Sequence, residues 1–151
     1  MRHIRDALAA GALAAVFSGV PSTTHALLTG ADPLEASLAA GSMIAPRETR
    51  TGRLLLAGAT AHVVLSLGWA VALTATLPRR HTVVAGAVAG VAIAALDLGV
   101  IGRRFPRIRT LRTGPQVADH VAFGVIVAAV VRARSPDHAG RRLARRAAGR
   151  H

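Results

Sequence analysis

The sequence predicts an all-α integral membrane protein: a four-helix bundle with a short interfacial helix in the first loop and a basic C-terminal tail. Three observations carry this. Of 151 residues, 52% are hydrophobic and only 17% charged, and the mean hydropathy is +0.42. The apolar residues gather into four charge-poor blocks, and a helix needs roughly 20 residues to cross a hydrocarbon layer about 30 Å thick. The basic residues, all of them Arg, sit almost entirely between the blocks, which is the charge pattern of a membrane protein.

The same composition excludes several classes. A disordered chain would be poor in apolar residues and rich in charge. A nucleic-acid binder with a net charge of +12 would spread that charge over a folded surface interleaved with aromatics, and aromatics are 3% here. No nucleic-acid partner is therefore expected. Cysteine is absent, so disulfides, thiolate metal sites and a cysteine nucleophile are all excluded.

The first block covers residues 7–28 and is interrupted by Pro21. With Arg2 and Arg5 before it and Thr24-His25-Ala26 at its end, it has an alternative reading as a secretory signal, but Asp6 spoils the basic start and Thr-x-Ala matches cleavage sites poorly. Next comes Asp32-Pro33-Leu34-Glu35, in which an Asp N-cap, Pro at the first helical position and Glu at the third predict a short helix ending near Gly41 at the membrane interface. Blocks two and three, residues 54–77 and 82–102, are joined only by Pro78-Arg79-Arg80-His81, which predicts a tight antiparallel hairpin. A connection with five Arg leads to the fourth block, residues 116–131, with Asp119 and His120 near its start.

Residues 1–131 thus form the four-span domain, and residues 132–151, with seven Arg, form a tail placed in the cytoplasm. Arg141, Arg142, Arg145 and Arg146 surround Leu143 and should attract anionic headgroups at about 1 kcal/mol per basic residue near the surface. Four spans in the cell membrane with both termini cytoplasmic put eleven Arg inside against eight outside, a weak bias. In a two-span alternative, blocks one and four only dip into the bilayer. The partners expected are the bilayer itself, anionic headgroups and, because four short spans enclose little space alone, a second copy of the chain.

Alternation of direction places the end of block one, the start of block two, the end of block three and the start of block four in one half of the bilayer. His25, His62, Asp97, Asp119 and His120 all fall there. Titratable groups in hydrocarbon cost on the order of 2.5–3.5 kcal/mol each, so they should face the bundle and find partners. His62 shares a helical face with Gly58 and Ser66; Asp97 follows Gly86, Gly90 and Ala94; His120 precedes Gly124. Such small-residue faces are where helices approach closely.

Three functions are compatible with this cluster. The first is structural: Asp97 with His62 or His120 fixes helix register, and Asp119 serves a helix start. The second is transport, since Asp and His in a half-membrane cavity are how proton relays and cation sites are built, and Pro21 breaks a helix beside His25. The third is a haem held axially by His62 and His120, or a divalent metal held by His62, His120 and Asp97, although no paired-ligand helix motif is present. No cofactor is assigned on this basis. Soluble-enzyme motifs are missing, and no enzymatic activity is expected.

Ser18-Gly19-Val20-Pro21-Ser22-Thr23, Ala61-His62 followed by Ser66-Leu67-Gly68-Trp69, Asp97-Leu98-Gly99 and Asp119-His120-Val121-Ala122-Phe123-Gly124 together resemble a class of small uncharacterised bacterial four-span membrane proteins. The resemblance covers roughly residues 7–131. It implies that block one is retained and that four helices span, and it implies no particular activity.

Overall fold

The computed structural model describes residues 2–134, so the four tail arginines 141, 142, 145 and 146 lie outside the described residues. Within them the chain is helical, in the order α1 (Arg2–Phe17), α2 (Val20–Thr29), α3 (Glu35–Ile44), α4 (Thr51–Thr76) and α5 (Thr82–Leu96). A π-helical segment (Asp97–Ile101) and a 3-10 turn (Gly102–Arg104) extend α5, and α6 (Pro106–Thr110) and α7 (Thr113–Arg134) complete the order. Four stretches are long and apolar enough to cross a membrane: His3–Thr29, Thr51–Thr76, Thr82–Arg104 and Thr113–Arg134. Each exceeds the corresponding apolar block, because helix continues through the flanking polar residues.

The break in the first stretch comes at Ser18 and Gly19, just upstream of Pro21. A proline ring lacks an N–H and crowds the carbonyl four residues back, here that of Phe17, the last residue of α1. Pro21 itself sits comfortably in the first turn of α2, and Pro115 likewise lies in the first turn of α7.

The predicted short helix starts later than expected. The Asp32 carboxylate accepts from the Leu34 N–H at 2.8 Å and makes a turn, so regular helix begins only at Glu35. It then packs antiparallel along the first half of α4. The backbones touch: a Cβ on Gly41 would strike the Leu54 carbonyl, and one on Gly58 the Ser37 carbonyl.

The expected hairpin of blocks two and three needs correction. Residues 77–81 do turn the chain tightly, with His81 in the left-handed region at φ 54°. Yet α4 and α5 make little contact with each other, and α5 packs instead on α7. Small-residue faces decide the pairing, whatever the loop length. Gly86 and Gly90 of α5 lie against the carbonyls of Gly124 and His120 in α7, too close for any side chain. The small face of α4 is already covered, by α3 at Gly58 and by α1, whose Gly11 packs on Leu67 and Ala70.

Helix α7 is the hub, touching α1, α2, α4 and α5. Its Phe123 and Val127 enter a core with Ala10, Ala14, Ala70, Leu73 and Ile93. None of the large hydrophobic side chains exposed among the described residues belongs to α7, whereas α1, α4 and α5 expose many. The small face of α1 and of the turn that follows it (Ala7, Gly11, Ala14, Ser18) is buried, and its spacing of four, three and four residues is that of a helix seam. Asp6 of α1 and Arg134 of α7 pair at 3.0 Å, so the start of the first stretch and the end of the last lie at the same end of the bundle.

Candidate functional site

The predicted cluster resolves into two places, both built on the first turns of α7. One is the break between α1 and α2. Where a helix ends, its last carbonyls and first N–H groups have no intrahelical partner, and in an apolar setting each must be satisfied from elsewhere. His62 of α4 reaches the last turn of α1, where its Nε2–H donates to the Ala15 carbonyl at 2.8 Å. Asp119 of α7 reaches the first turn of α2, where its Oδ1 accepts from the Ser22 N–H at 2.8 Å. No α2 residue caps that end with its own side chain; Gly19 at the N-cap position has none to offer. The two partners therefore serve opposite sides of one interruption.

The second place is the π-helical segment. Asp97 opens it, and its Oδ2 lies 3.4 Å from Nε2 of His120 on α7. The other ring nitrogen of His120, Nδ1, is 2.8 Å from the carbonyl of Gln116 one turn back. Both side chains of the pair are about three-quarters buried, at 22% and 25% exposure. Consecutive residues Asp119 and His120 thus point about 100° apart around α7 and bind different neighbours. Beside this pair a hollow lined by Leu98, Ile108, Arg109, Leu111, Thr113 and Gln116 opens under α6.

The remaining candidates are dispersed. His62 lies on an exposed face of α4 and bonds to neither Asp97 nor His120. The proposed ligand set of His62, His120 and Asp97 is not gathered: among the described residues no three His, Cys, Asp or Glu side chains are grouped to hold a metal ion. Ser66 is buried at 5% exposure beside the seam of α1 and α4. His25, one turn beyond Ser22 on α2, has a buried Nε2 with no hydrogen-bond partner among the described residues. The packing residues Gly58, Gly86, Gly90, Ala94 and Gly124 are all buried at helix contacts.

Ala15, Ser22 and Gln116 are the partners that sequence reading missed. All three act through backbone atoms, which any residue type supplies, so only the position of the break could have pointed to them. Two ion pairs were also hidden, Asp6 with Arg134 and Glu35 with Arg107 at 3.4 Å, the latter tying α3 to α6. Outside the candidate spans, Glu48 accepts from the N–H groups of Thr49 and Arg50 at 3.0 Å each and from Arg53 at 3.2 Å. These donors, the Arg50 N–H first, hold its carboxyl below the ordinary glutamate range.

No protein-family model, curated protein or solved structure matches this chain.

Proposed function

We propose that this chain is a multi-pass membrane protein with a structural or accessory, non-catalytic role, whose His and Asp side chains within the spans join interrupted helices. The observation that carries the reading is the pairing at the break: His62 answers the free carbonyl at the end of α1, and Asp119 the free N–H at the start of α2. Groups committed to repairing backbone are spoken for, and none of them shares a ligand-holding pocket with the others. The four stretches and the basic residues at their ends favour insertion in the cell membrane, with both termini on the cytoplasmic side. The contact of Asp6 with Arg134 fits an even number of crossings. The resemblance to small bacterial four-span proteins supports the same topology, as do lipid headgroups as partners of the basic ends. Pairing of two copies remains compatible with the apolar faces of α4 and α5.

A proton- or cation-linked carrier is the second reading. Its support is the occurrence of two helix irregularities in the same half of the bundle, near a hollow and an unpartnered His25. Broken helices at mid-membrane often mark solute sites.

Two measurements test the first reading. Because the chain has no cysteine, single cysteines at Arg50 and Arg80 can be labelled with an impermeant maleimide from either side of the membrane. They should react from opposite sides, and reaction from one side overturns the four-span topology. Asp119→Ala should lower the amount of folded protein severalfold, with Asp119→Asn restoring most of it. If both variants stay abundant while a pH-gradient-driven proton flux in proteoliposomes is lost, the carrier reading replaces the structural one.

A further inference from the structure

We propose that Asp97 and His120 form a proton-binding site, holding one shared proton that fastens the π-helical segment to α7. The argument is a count of hydrogens. A backbone carbonyl can only accept, so the 2.8 Å contact with Gln116 requires a hydrogen on Nδ1 of His120. A neutral imidazole carries one N–H, which that contact uses. Nε2 would then turn a bare lone pair toward the carboxylate oxygen of Asp97 at 3.4 Å, two acceptors facing each other. One additional proton resolves the conflict. Placed on Nε2 it makes an imidazolium–carboxylate pair; placed on Asp97 it makes a carboxylic acid donating to a neutral ring. Either form has no net charge, whereas the pair without the proton leaves one negative charge in an apolar setting.

The surroundings neither supply nor replace that proton. On α7, Asp119 is engaged with Ser22. On α4, His62 is engaged with Ala15, and on α2, His25 has its Nε2 buried without a partner. Asp6 of α1 lies at the other end of the bundle, paired with Arg134. Beyond the π-helical segment follow Arg103 and Arg104, and on α6 Arg107 pairs with Glu35 while Arg109 lines the hollow. The hollow nearby is lined by Leu98, next to Asp97 in sequence, and by Gln116, which holds His120, but by neither member of the pair. When the proton leaves at high pH, the contact changes from attraction to repulsion and the segment is released from α7.

The inference does not rest on the structural role proposed above, and the experiment separates the two. Wild-type protein in lipid nanodiscs, labelled with 15N-histidine and 13C-carbonyl glutamine, is measured by solid-state NMR at pH 7. Gln116 is the single glutamine, so the ring nitrogen correlated with its carbonyl identifies His120 without any variant. Infrared difference spectra against Asp97→Asn report whether the Asp97 carboxyl is protonated. The expected result is one extra proton, seen either as both ring nitrogens bearing hydrogen or as a protonated Asp97 carboxyl. In Asp97→Asn the His120 ring should revert to one N–H, on Nδ1. A ring with one N–H beside an ionised Asp97 in the wild type overturns the site, and leaves the topology and abundance tests untouched.

Discussion

The two halves of the bundle are built differently. In the half nearest the loop at residues 77–81, α4, α5 and α7 are regular helices that meet through Ala, Gly, Leu, Ile, Phe and Val, and apart from the Asp6–Arg134 ion pair at its edge the side-chain hydrogen bonds shown there stay within a helix or its own turn. In the other half α1 stops and α2 starts, α5 widens into a π-helix, and His62, Asp97, Asp119 and His120 make contacts that cross between elements. The difference teaches why the polar residues are there. An unbroken helix satisfies its own backbone and needs only close packing, whereas an interrupted one in an apolar setting must borrow donors and acceptors from its neighbours. The polar side chains of the candidate site follow the interruptions.

The half nearest the loop at residues 77–81 should not tolerate added volume at its glycine seam. Gly86 has the Gly124 carbonyl and the Ala128 Cβ where its own Cβ would be. Gly86→Leu must push two backbones apart, and overpacking of this kind costs roughly 1–3 kcal/mol and more where backbone is struck. We expect loss of most folded protein in detergent, read by size-exclusion profile and thermal melting. Gly99→Leu, in the π-helical segment of the other half, meets open space and should melt within about 0.5 kcal/mol of wild type. Equal damage from both would dissolve the contrast between the halves.

The half that holds the interruptions should be sensitive to lost acceptors. Removing the Asp119 carboxylate strands the Ser22 N–H, and a buried unsatisfied donor costs about 1–3 kcal/mol. Asp119→Ala should therefore lower the unfolding free energy by that amount. Asp119→Asn keeps a carbonyl oxygen in place and should recover at least half. If Asn is as damaging as Ala, the carboxylate acts by its charge and the capping role fails.

Depth was legible in the sequence and partnership was not. Alternating spans put His62, Asp97, Asp119 and His120 in one half by connectivity alone, and that half is where the structure places them. The small faces around Gly58, Gly86 and Gly124 were also legible, because spacing of four along a helix is a property of the chain. What the chain does not encode locally is which face meets which. The short loop at residues 77–81 suggested α4 against α5, yet backbone approach at Gly86 and Gly90 favours α7. The break was read at Pro21 itself, but proline acts one turn upstream, at Phe17. The π-helical segment at Asp97 had no sequence signal, and so the geometry of the pair with His120 could not be foreseen.

The smallest effect lies outside both halves and shows what the same capping chemistry is worth in water. Glu48 gathers the N–H groups of Thr49 and Arg50 just before α4, as Asp119 gathers that of Ser22, but it does so outside the candidate membrane spans. Its carboxyl titrates below the ordinary glutamate range in the folded protein. Its stabilisation is therefore complete above the unfolded-state value and is lost as pH falls through the folded one. Measured relative to the intrinsic rate at each pH, amide exchange at the first turn of α4, from Thr51 onward, should accelerate on acidification through that acid window in the wild type. In Glu48→Gln the acceleration should be weaker, because one carbonyl acceptor persists at every pH. Glu48 caps a helix end outside the candidate spans, and its charged partner Arg53 is open to salt, so the effect stays local and the melting temperature of the whole protein should hardly move. A global shift comparable to that of Asp119→Ala would mean that lying within a candidate span is not what makes the caps at the break matter.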